Sequence, residues 1–395
     1  MKILQICPDF EPYVRGGGTM TYKLLAQAWK MQGHEVTTAA SVPARIARQI
    51  DATAFPFKLE FFKLISLPAI VEEASYYSPL TPHELIRFRK FLMTATREND
   101  LVVIHGLMEG ISLASILSLK SFDRVVLTHH GVSTAAYSRG MRWISKVLYK
   151  SIGKIAVSRA KKVFIYSERS EEEFVEYFGR QSSISILTTP SGMDVSKLSN
   201  DFQAAIQSSD ALHNWLVDAL GVRGPFLFAI GRNVRTKGFD LLIESFKRIT
   251  EKYPALSLII GGDQTDYTSF LKQLSDENGV SNRVVFAGRI TDVQKVFLMT
   301  QCNCFVISSR KEGYGLNAAE AAILQTPTVA TKTGAHESIL ADSTDSRLAE
   351  TDSEESLTES ILEVLNTQHS LPCFNRDIAA RFDINSLAAK YLKEV

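Results

Sequence analysis

Two glutamates eight residues apart, Glu312 and Glu320, flank the turn Gly313-Tyr314-Gly315-Leu316-Asn317. An apolar run ends just before them at Ser308-Ser309, and an Ala-rich helix is expected to begin near Leu316. The first amides of such a helix have no partner within it and carry the positive end of its dipole, so the turn is a seat for a phosphate. Glu320, just over one turn in, reaches a hydroxyl pair on a ligand whose phosphates sit at the helix start. Glu312, ahead of the turn, reaches a group on the ligand's other side. Two carboxylates bracketing an anion seat suit a ligand with hydroxyls at both ends, which describes a nucleotide sugar.

A second constellation is Gly231-Arg232-Asn233-Val234-Arg235-Thr236-Lys237-Gly238, directly after the strand-like run Phe226–Ile230. Open α/β sheets bind ligands at the carboxyl ends of their strands. Arg232 offers a planar fork of donors and Lys237 a compact point charge, a combination suited to a diphosphate. Gly16-Gly17-Gly18 lets a backbone approach a bulky anion or sugar, although it lacks the Gly-x-Gly-x-x-Gly spacing of dinucleotide binders. His129-His130 follows another strand-like run, and His105-Gly106 is a similar strand-end pair. One imidazole of the doubled pair is expected to point toward ligand while its neighbour faces the other way. No Asp-any-Asp triplet occurs in the chain. A divalent metal neutralising a diphosphate usually needs such carboxylates, so Arg232 and Lys237 are expected to carry that charge, with no metal and no cofactor.

These residues need a scaffold of alternating strands and helices. The chain has 395 residues, 45% hydrophobic and 22% charged, which fits two globular domains and excludes disorder, collagen and coiled coil. Lys and Arg number 44 against 43 Asp and Glu, so the net charge of +1 gives no field to gather nucleic acid. No apolar run is long enough to span a bilayer, and the first is broken at Pro8-Asp9, too short for a secretory leader. Cys7, Cys302, Cys304 and Cys373 are too scattered for a disulfide framework, and all four are expected to be reduced and mostly buried, as in a cytoplasmic protein. Cys302 and Cys304 are expected on one face of a strand 303–308.

The first unit reads as strand Lys2–Cys7, a loop, helix Thr19–Gln32 stopped by Gly33, and strand Glu35–Ala40, a βαβ start that predicts a parallel sheet. Strands Leu101–Ile104, Arg124–Thr128 and Lys162–Tyr166 follow, with a helix through 139–158. The stretch 51–80, with Phe55, Phe57, Phe61 and Phe62 among prolines, reads as irregular. A second series begins at Phe226–Ile230, with a helix from about Phe239 to Thr250, and strands recur at Leu256–Ile260, Val284–Ala287, Cys304–Ile307 and Thr328–Thr331. The polar segment 196–224 lies between the two series and is expected to hold the hinge.

With these motifs in place, the chain resembles family 4 glycosyltransferases of the GT-B fold, which are retaining and use nucleotide sugars. The resemblance covers nearly the whole chain: Gly16–Gly18, His130-Gly131, Val163–Ser167, Pro190-Ser191-Gly192-Met193-Asp194, Gly231-Arg232 with Lys237-Gly238, and the pair Glu312/Glu320. It implies two Rossmann-like domains facing each other across a donor-binding cleft. These would be an acceptor domain 1–195 joined by a C-terminal helix from about 378–395, and a donor domain 196–377. By resemblance, Gly17 and Gly18 face the donor phosphates and Arg232 and Lys237 bind the diphosphate. Glu312 holds sugar hydroxyls, the amides of Gly315, Leu316 and Asn317 with neighbouring Tyr314 line the distal phosphate, and Glu320 takes the ribose. Arg289 and Ile290 meet the base through their backbone, and His130 is the histidine near the reacting carbon. Pro190-Ser191-Gly192 departs from the usual Pro-Asn-Gly.

The implied reaction moves a hexose from a UDP-sugar, UDP-glucose first and GDP-mannose second, to a hydroxyl of a glycan or lipid-linked acceptor. Three rivals stand beside it: a nucleotide-sugar epimerase, which acts without acceptor, a binding protein without catalysis, and an NAD-dependent oxidoreductase, which wants the dinucleotide glycine spacing absent here. Between Arg139 and Lys162 the chain carries eight basic residues and no acidic one. Arg142, Lys146, Lys150 and Lys154 recur every four residues, so an amphipathic helix there can lie on an anionic membrane. Two expectations result: peripheral attachment of a cytoplasmic protein to the inner face of the membrane, or an apolar face packed on the first domain's sheet with the lysines merely solvated.

Overall fold

The computed structural model describes residues 1–8, 17–43, 55–64, 80–107, 110–129, 147, 150–151, 153–179, 185–188 and 191–395. It divides into two units, Met1–Met193 with Asp383–Val395, and Asp194–Phe382.

The first unit is built on β1 (Lys2–Cys7), β2 (Glu35–Pro43), β3 (Lys58–Leu64), β4 (Leu101–His105), β5 (Val125–His129), β6 (Lys162–Ile165) and β7 (Ser185–Thr188), in the sheet order β3-β2-β1-β4-β5-β6-β7. All neighbours are parallel, with Ile3 opposite Val36 on one side and Leu101 on the other. β4 and β5 are buried along their whole length, as expected where helices cover both faces of a parallel sheet. Polar side chains in this buried sheet satisfy one another. Gln5 donates to the His105 ring at 2.7 Å, and the other His105 nitrogen meets Thr128 Oγ1 at 2.9 Å.

Helix α1 (Gly17–Met31) starts two residues earlier than Thr19, so Gly17 and Gly18 form its first turn rather than a loop before it. Gly33 follows the helix at φ +85°, where a side chain is disfavoured. The stretch read as irregular contains β3, whose Leu59 and Phe62 are buried while Lys58 and Lys63 face out. Its alternation was obscured by the run of phenylalanines. Helix α2 (Pro82–Glu98) then begins on a local signal, Thr81 accepting from the Glu84 amide with proline in the first turn. Helices α3 (Gly110–Ser118) and α4 (Glu168–Phe178) also belong to this unit. Part of the basic segment, 139–146, 148–149 and 152, lies outside the described residues, while 153–159 is helical.

The second unit opens with α5 (Val195–Gln207) and α6 (Ser209–Asp218), so the polar segment read as a hinge is mostly helix. Six parallel strands follow: β8 (Phe226–Ile230), β9 (Ser257–Gly261), β10 (Val284–Gly288), β11 (Cys304–Ile307), β12 (Thr328–Thr331) and β13 (Ser346–Ala349). Their order, β10-β9-β8-β11-β12-β13, repeats the pattern of the first sheet. Helices α7 (Phe239–Lys252), α8 (Tyr267–Glu277), α9 (Asp292–Gln301), α10 (Leu316–Leu324), α11 (His336–Leu340), α12 (Glu354–Asn366) and α13 (Arg376–Ala380) surround it. Cys302 caps α9, which ends at Gln301, and lies outside β11, which begins only at Cys304; both cysteines are buried. Cys7 is also buried, Cys373 is exposed, and all four are free thiols.

The last helix, α14 (Ile384–Lys393), returns to the first unit. Its Ala388 carbonyl accepts from the Trp29 indole at 3.1 Å, and Tyr391 stacks on Phe164 with ring centroids 3.7 Å apart. Gly192 leaves room for it, since a Cβ there would stand 3.0 Å from the Ile384 Cα.

Candidate functional site

In the second sheet β8 and β11 are adjacent, and the strand order reverses between them. At such a switch point the loops leaving the carboxyl ends of two neighbouring strands run in opposite directions and leave an opening. Gly231 to Gly238 leave β8 there, and Ser308 to Gly315 leave β11.

The two loops are fastened together. The turn Arg235–Lys237 ends at Gly238, whose φ is +64° and where a Cβ would lie 2.0 Å from the Ser308 carbonyl oxygen. Ser308 Oγ donates to the Lys237 carbonyl at 3.0 Å, and the Arg310 amide donates to the Thr236 carbonyl at 2.8 Å. Arg310 also grips Asp240 with two bonds of 2.7 and 2.9 Å, meets the Arg235 carbonyl at 2.9 Å and reaches Asp352 at 2.6 Å. A fork held by carboxylates in this way fixes position as well as charge. Arg310 was not singled out from sequence, and its role is to hold the Lys237 turn against the Glu312 loop.

Lys237 and Glu312 meet inside this bracket. The aliphatic stem of Lys237 crosses Gly231, 3.4 Å from where a Cβ would be, and its ammonium lies 2.5 Å from Glu312 Oε1. Ser309 Oγ donates to the same oxygen at 2.7 Å. Burial pushes the Glu312 carboxyl upward, but the Lys237 charge, with His336 and the hydrogen bonds from Lys237 and Ser309, outweighs it and holds the group below its ordinary range. Arg232, on the same loop, has no ion-pair partner among the described residues, and the neighbouring Asn233 is locked by Thr268 at 3.1 Å.

After Glu312 the chain turns through Gly315 at φ +113° into α10. No side chain caps that helix, so its leading amides are left for a ligand or water. Asn317 donates from its side chain to the Ile230 carbonyl at 3.2 Å, tying the helix to the end of β8. Tyr314 is anchored through its carbonyl, which accepts from the Ala335 amide at 2.7 Å.

His336 closes the floor beneath this turn. A Cβ on Gly315 would stand 2.4 Å from its ring carbon Cδ2 and 2.6 Å from Nε2. Nδ1 faces the Thr331 carbonyl at 2.8 Å, which can only accept, so Nδ1 carries the proton and Nε2 presents a lone pair. Nε2 has no hydrogen-bond partner among the described residues. Burial lowers the His336 pKa against the opposing pull of Glu312, leaving a neutral imidazole. Sequence reasoning missed this residue, although Gly334-Ala335-His336 follows β12 just as the other motifs follow their strands.

Glu320 lies one turn further into α10, where Lys295 of α9 bonds its Oε1 at 2.6 Å. Its Oε2 is shut off from solvent and has no partner among the described residues. An acceptor left in that state costs about 1–3 kcal/mol, more when charged, until something donates to it. Arg289 pairs with Asp263, while Gly288 beside it has φ +65° and its carbonyl accepts from the Gly262 amide at 2.7 Å.

In the first unit, His129 is buried and packs edge-on against Phe174 at 5.4 Å, so this imidazole belongs to the core. His130 lies outside the described residues, as does Gly16. Among the described residues no group of three or more His, Cys, Asp or Glu side chains is gathered as for a metal ion.

Comparison with known proteins follows the same division. Residues 15–197 match the family model described as Glycosyltransferase Family 4, and residues 219–378 match that of Glycosyl transferases group 1. The chain belongs to glycosyltransferase family 4. Among relatives of this family 4 chain, mannosylfructose-phosphate synthase of Agrobacterium fabrum is 31% identical over 191 residues, 42% of this chain and 41% of that protein. The match thus spans about two fifths of that relative's length. The GDP-mannose:cellobiosyl-diphosphopolyprenol alpha-mannosyltransferase of Xanthomonas campestris is 23% identical over 81% of this chain and 76% of its own. The structure of Anabaena Alr3699/HepE in complex with UDP and glucose superposes with a TM-score of 0.69 at 19% identity, covering all of both chains. At that identity the likeness is one of fold, and the fold is GT-B.

Proposed function

We propose that the protein transfers a hexose from a nucleotide diphosphate sugar, UDP-glucose in the first instance, to a hydroxyl of a glycan or lipid-linked acceptor, with retention of configuration. The observation that carries this reading is the Lys237–Glu312 pair, held beside the uncapped start of α10 where β8 and β11 diverge. Such a site presents a cation, helix amides and a carboxylate together, matching a diphosphate joined to a hydroxylated sugar.

In this reading Arg232 and Lys237 bind the diphosphate, and Glu312, released from part of its hold on Lys237, accepts from sugar hydroxyls. The helix amides of Gly315 to Asn317 and the nearby Tyr314 take the distal phosphate, Glu320 the ribose, and the backbone of Arg289 and Ile290 the base. Gly17 and Gly18 approach the phosphates, and His130 stands near the reacting carbon. The acceptor oxygen forms its bond to the anomeric carbon on the face from which the nucleoside diphosphate departs. The carbon–oxygen bond to phosphate breaks with its electron pair on the phosphate oxygen, and that oxygen takes the acceptor's proton. Negative charge grows on the diphosphate in this step, and positive groups fixed beforehand stabilise it most strongly there. The two cations perform this without a metal ion.

The Anabaena protein's complex with UDP and glucose supports a UDP-sugar donor, and the Xanthomonas enzyme, with GDP-mannose as donor and a diphosphopolyprenol acceptor, supports the runner-up and a lipid-linked acceptor. No helix among the described residues is long and apolar enough to cross a membrane. A cytoplasmic enzyme resting on the inner membrane face through 139–162 fits such an acceptor. Thermal-shift screening of UDP-, GDP- and ADP-sugars tests the donor class, because a ligand at ~100 times its Kd stabilises by about 2.7 kcal/mol. No shift with any of them removes the reading, and conversion of the free donor without acceptor replaces it with epimerase.

A further inference from the structure

Lys295 is absent from every motif that pointed to the site, yet the structure joins it to Glu320. It lies on the first turn of α9, 25 residues before its partner, and bonds one carboxylate oxygen at 2.6 Å. Both side chains are only 16% exposed. The pairing is asymmetric. Oε1 is taken by the ammonium, whereas Oε2 is left without a donor among the described residues. A carboxylate free to rotate offers either oxygen in many orientations, but one gripped by a cation offers a single acceptor in a fixed direction.

The base of Lys295 is itself held in place. Thr291 and Gln294 form reciprocal caps at the start of α9, with bonds of 3.1 and 2.9 Å. Asp292, on the same turn, receives Lys197 at 2.5 Å, and Lys197 in turn holds Asp201 at 2.7 Å. The helix start that carries Lys295 is therefore fastened to α5, and the ammonium is delivered to Glu320 by a rigid element rather than a loose surface chain.

We propose that Lys295 is the positioning residue of the ribose subsite: it occupies Glu320 Oε1, so that Oε2, closed to solvent in this structure, is the one acceptor left for a ribose hydroxyl once the donor opens a path to it. The inference rests on the donor reading above and deepens it. An ammonium has three donors, and one serves Glu320, so another can meet the oxygen of the neighbouring hydroxyl of a vicinal diol. A vicinal diol is then read by one acceptor and one donor side by side. A deoxyribose ligand lacks one of the two hydroxyls and leaves one group of the pair unmatched, which is how buried polar sites reject analogues.

The test is calorimetric binding of UDP, GDP and ADP, and of the 2′-deoxy form of whichever binds tightest, to the wild type, Lys295→Met, Lys295→Arg and Glu320→Gln. Binding needs no acceptor, and thermal melts of each variant accompany it. Expected is a preference of the wild type for the ribonucleotide of about tenfold or more, shrinking toward unity in Lys295→Met and largely kept in Lys295→Arg. A structural role alone would lower melting temperature without touching that ratio. If Glu320→Gln loses the preference while Lys295→Met keeps it, the assignment of Lys295 is overturned and the donor reading stands. If none of the three nucleotides binds the wild type, or Glu320→Gln changes nothing, the ribose subsite itself is misplaced. Should Lys295→Met fail to fold, Lys295→Gln carries the same comparison.

Discussion

Lys237 and Glu312 are 75 residues apart in the chain and 2.5 Å apart in the fold, each at the end of a different but adjacent strand. Without ligand, the cation that would meet a diphosphate is satisfied by the carboxylate that would meet a sugar. On the proposed reading, a donor would exchange these partners for its own phosphate and hydroxyls, leaving neither charge unpaired.

Replacing Lys237 with Ala, or Arg232 with Ala, is expected to lower kcat/KM by on the order of 10²-fold or more, since a lost contact to developing charge costs about 3 kcal/mol. The two losses should differ in character. Lys237→Ala also strands Glu312, a largely buried carboxylate, and should lower the melting temperature; Arg232→Ala breaks no ion pair of the described structure and should leave it nearly unchanged. Turnover near wild type in both variants would dismiss the phosphate assignment.

Transfer is expected to survive EDTA, and the product should keep the donor's anomeric configuration. Loss of activity on chelation that returns with Mg²⁺ or Mn²⁺ would contradict the first statement. An inverted linkage in the product's NMR spectrum would contradict the second.

Acid should weaken the site in two steps. His336 is neutral when folded, with its pKa below 6.5, so below about pH 6.5 the unfolded chain binds a proton that the folded one refuses. Unfolding free energy therefore falls with pH from there. Glu312 acts lower down, because its folded pKa lies under 4.5; its contribution is complete above that value and is lost as pH drops through the folded pKa. Melting temperature measured from pH 8 to 5 should fall less in His336→Gln than in the wild type. Parallel curves would show that His336 is not the group responsible.

Glycine at 238 is needed for shape as well as for backbone freedom. Gly221 and Gly238 share the left-handed conformation, at φ +70° and +64°, but a Cβ on Gly221 meets nothing within 4 Å. Gly221→Ala should cost about 1–2 kcal/mol, the price of that conformation for a residue with a Cβ. Gly238→Ala adds a collision with the Ser308 carbonyl and should displace the Lys237 turn, giving a larger loss of stability together with weaker nucleotide binding. Equal effects from the two substitutions would refute the packing argument.

The basic segment 139–162 leads to a separate expectation. The protein should sediment with anionic but not neutral liposomes, in a salt-sensitive manner, and Lys146→Glu with Lys150→Glu should weaken this. Recovery in the supernatant with both lipids at low salt leaves no role for a membrane surface.

Much of the framework was readable because its signals are local. Strands such as Phe226–Ile230 and Cys304–Ile307 are short apolar runs, and Gly238 and Gly315 mark the turns that follow them. Glu312, Glu320 and Lys237 stood out because they adjoin those turns. Arg310, Lys295 and His336 did not, since their importance comes from partners 70, 25 and 24 residues away that only the folded sheet brings near. β3 was lost because its phenylalanines mask a simple in-and-out alternation, and the helices of the segment 196–224, expected to hold the hinge, were missed because they are amphipathic and short.

The return of α14 makes the second unit an insertion within the first. During synthesis, residues 383–395 are made only after the whole of 194–382, so the Trp29 indole and the face of Phe164 wait uncovered while an entire domain emerges and folds. A chain cut short anywhere in the second unit lacks the helix that covers Trp29 and Phe164, and so cannot complete the first. Order of translation thus enters the fold itself: the unit begun first is closed only by a segment made after the whole of the second.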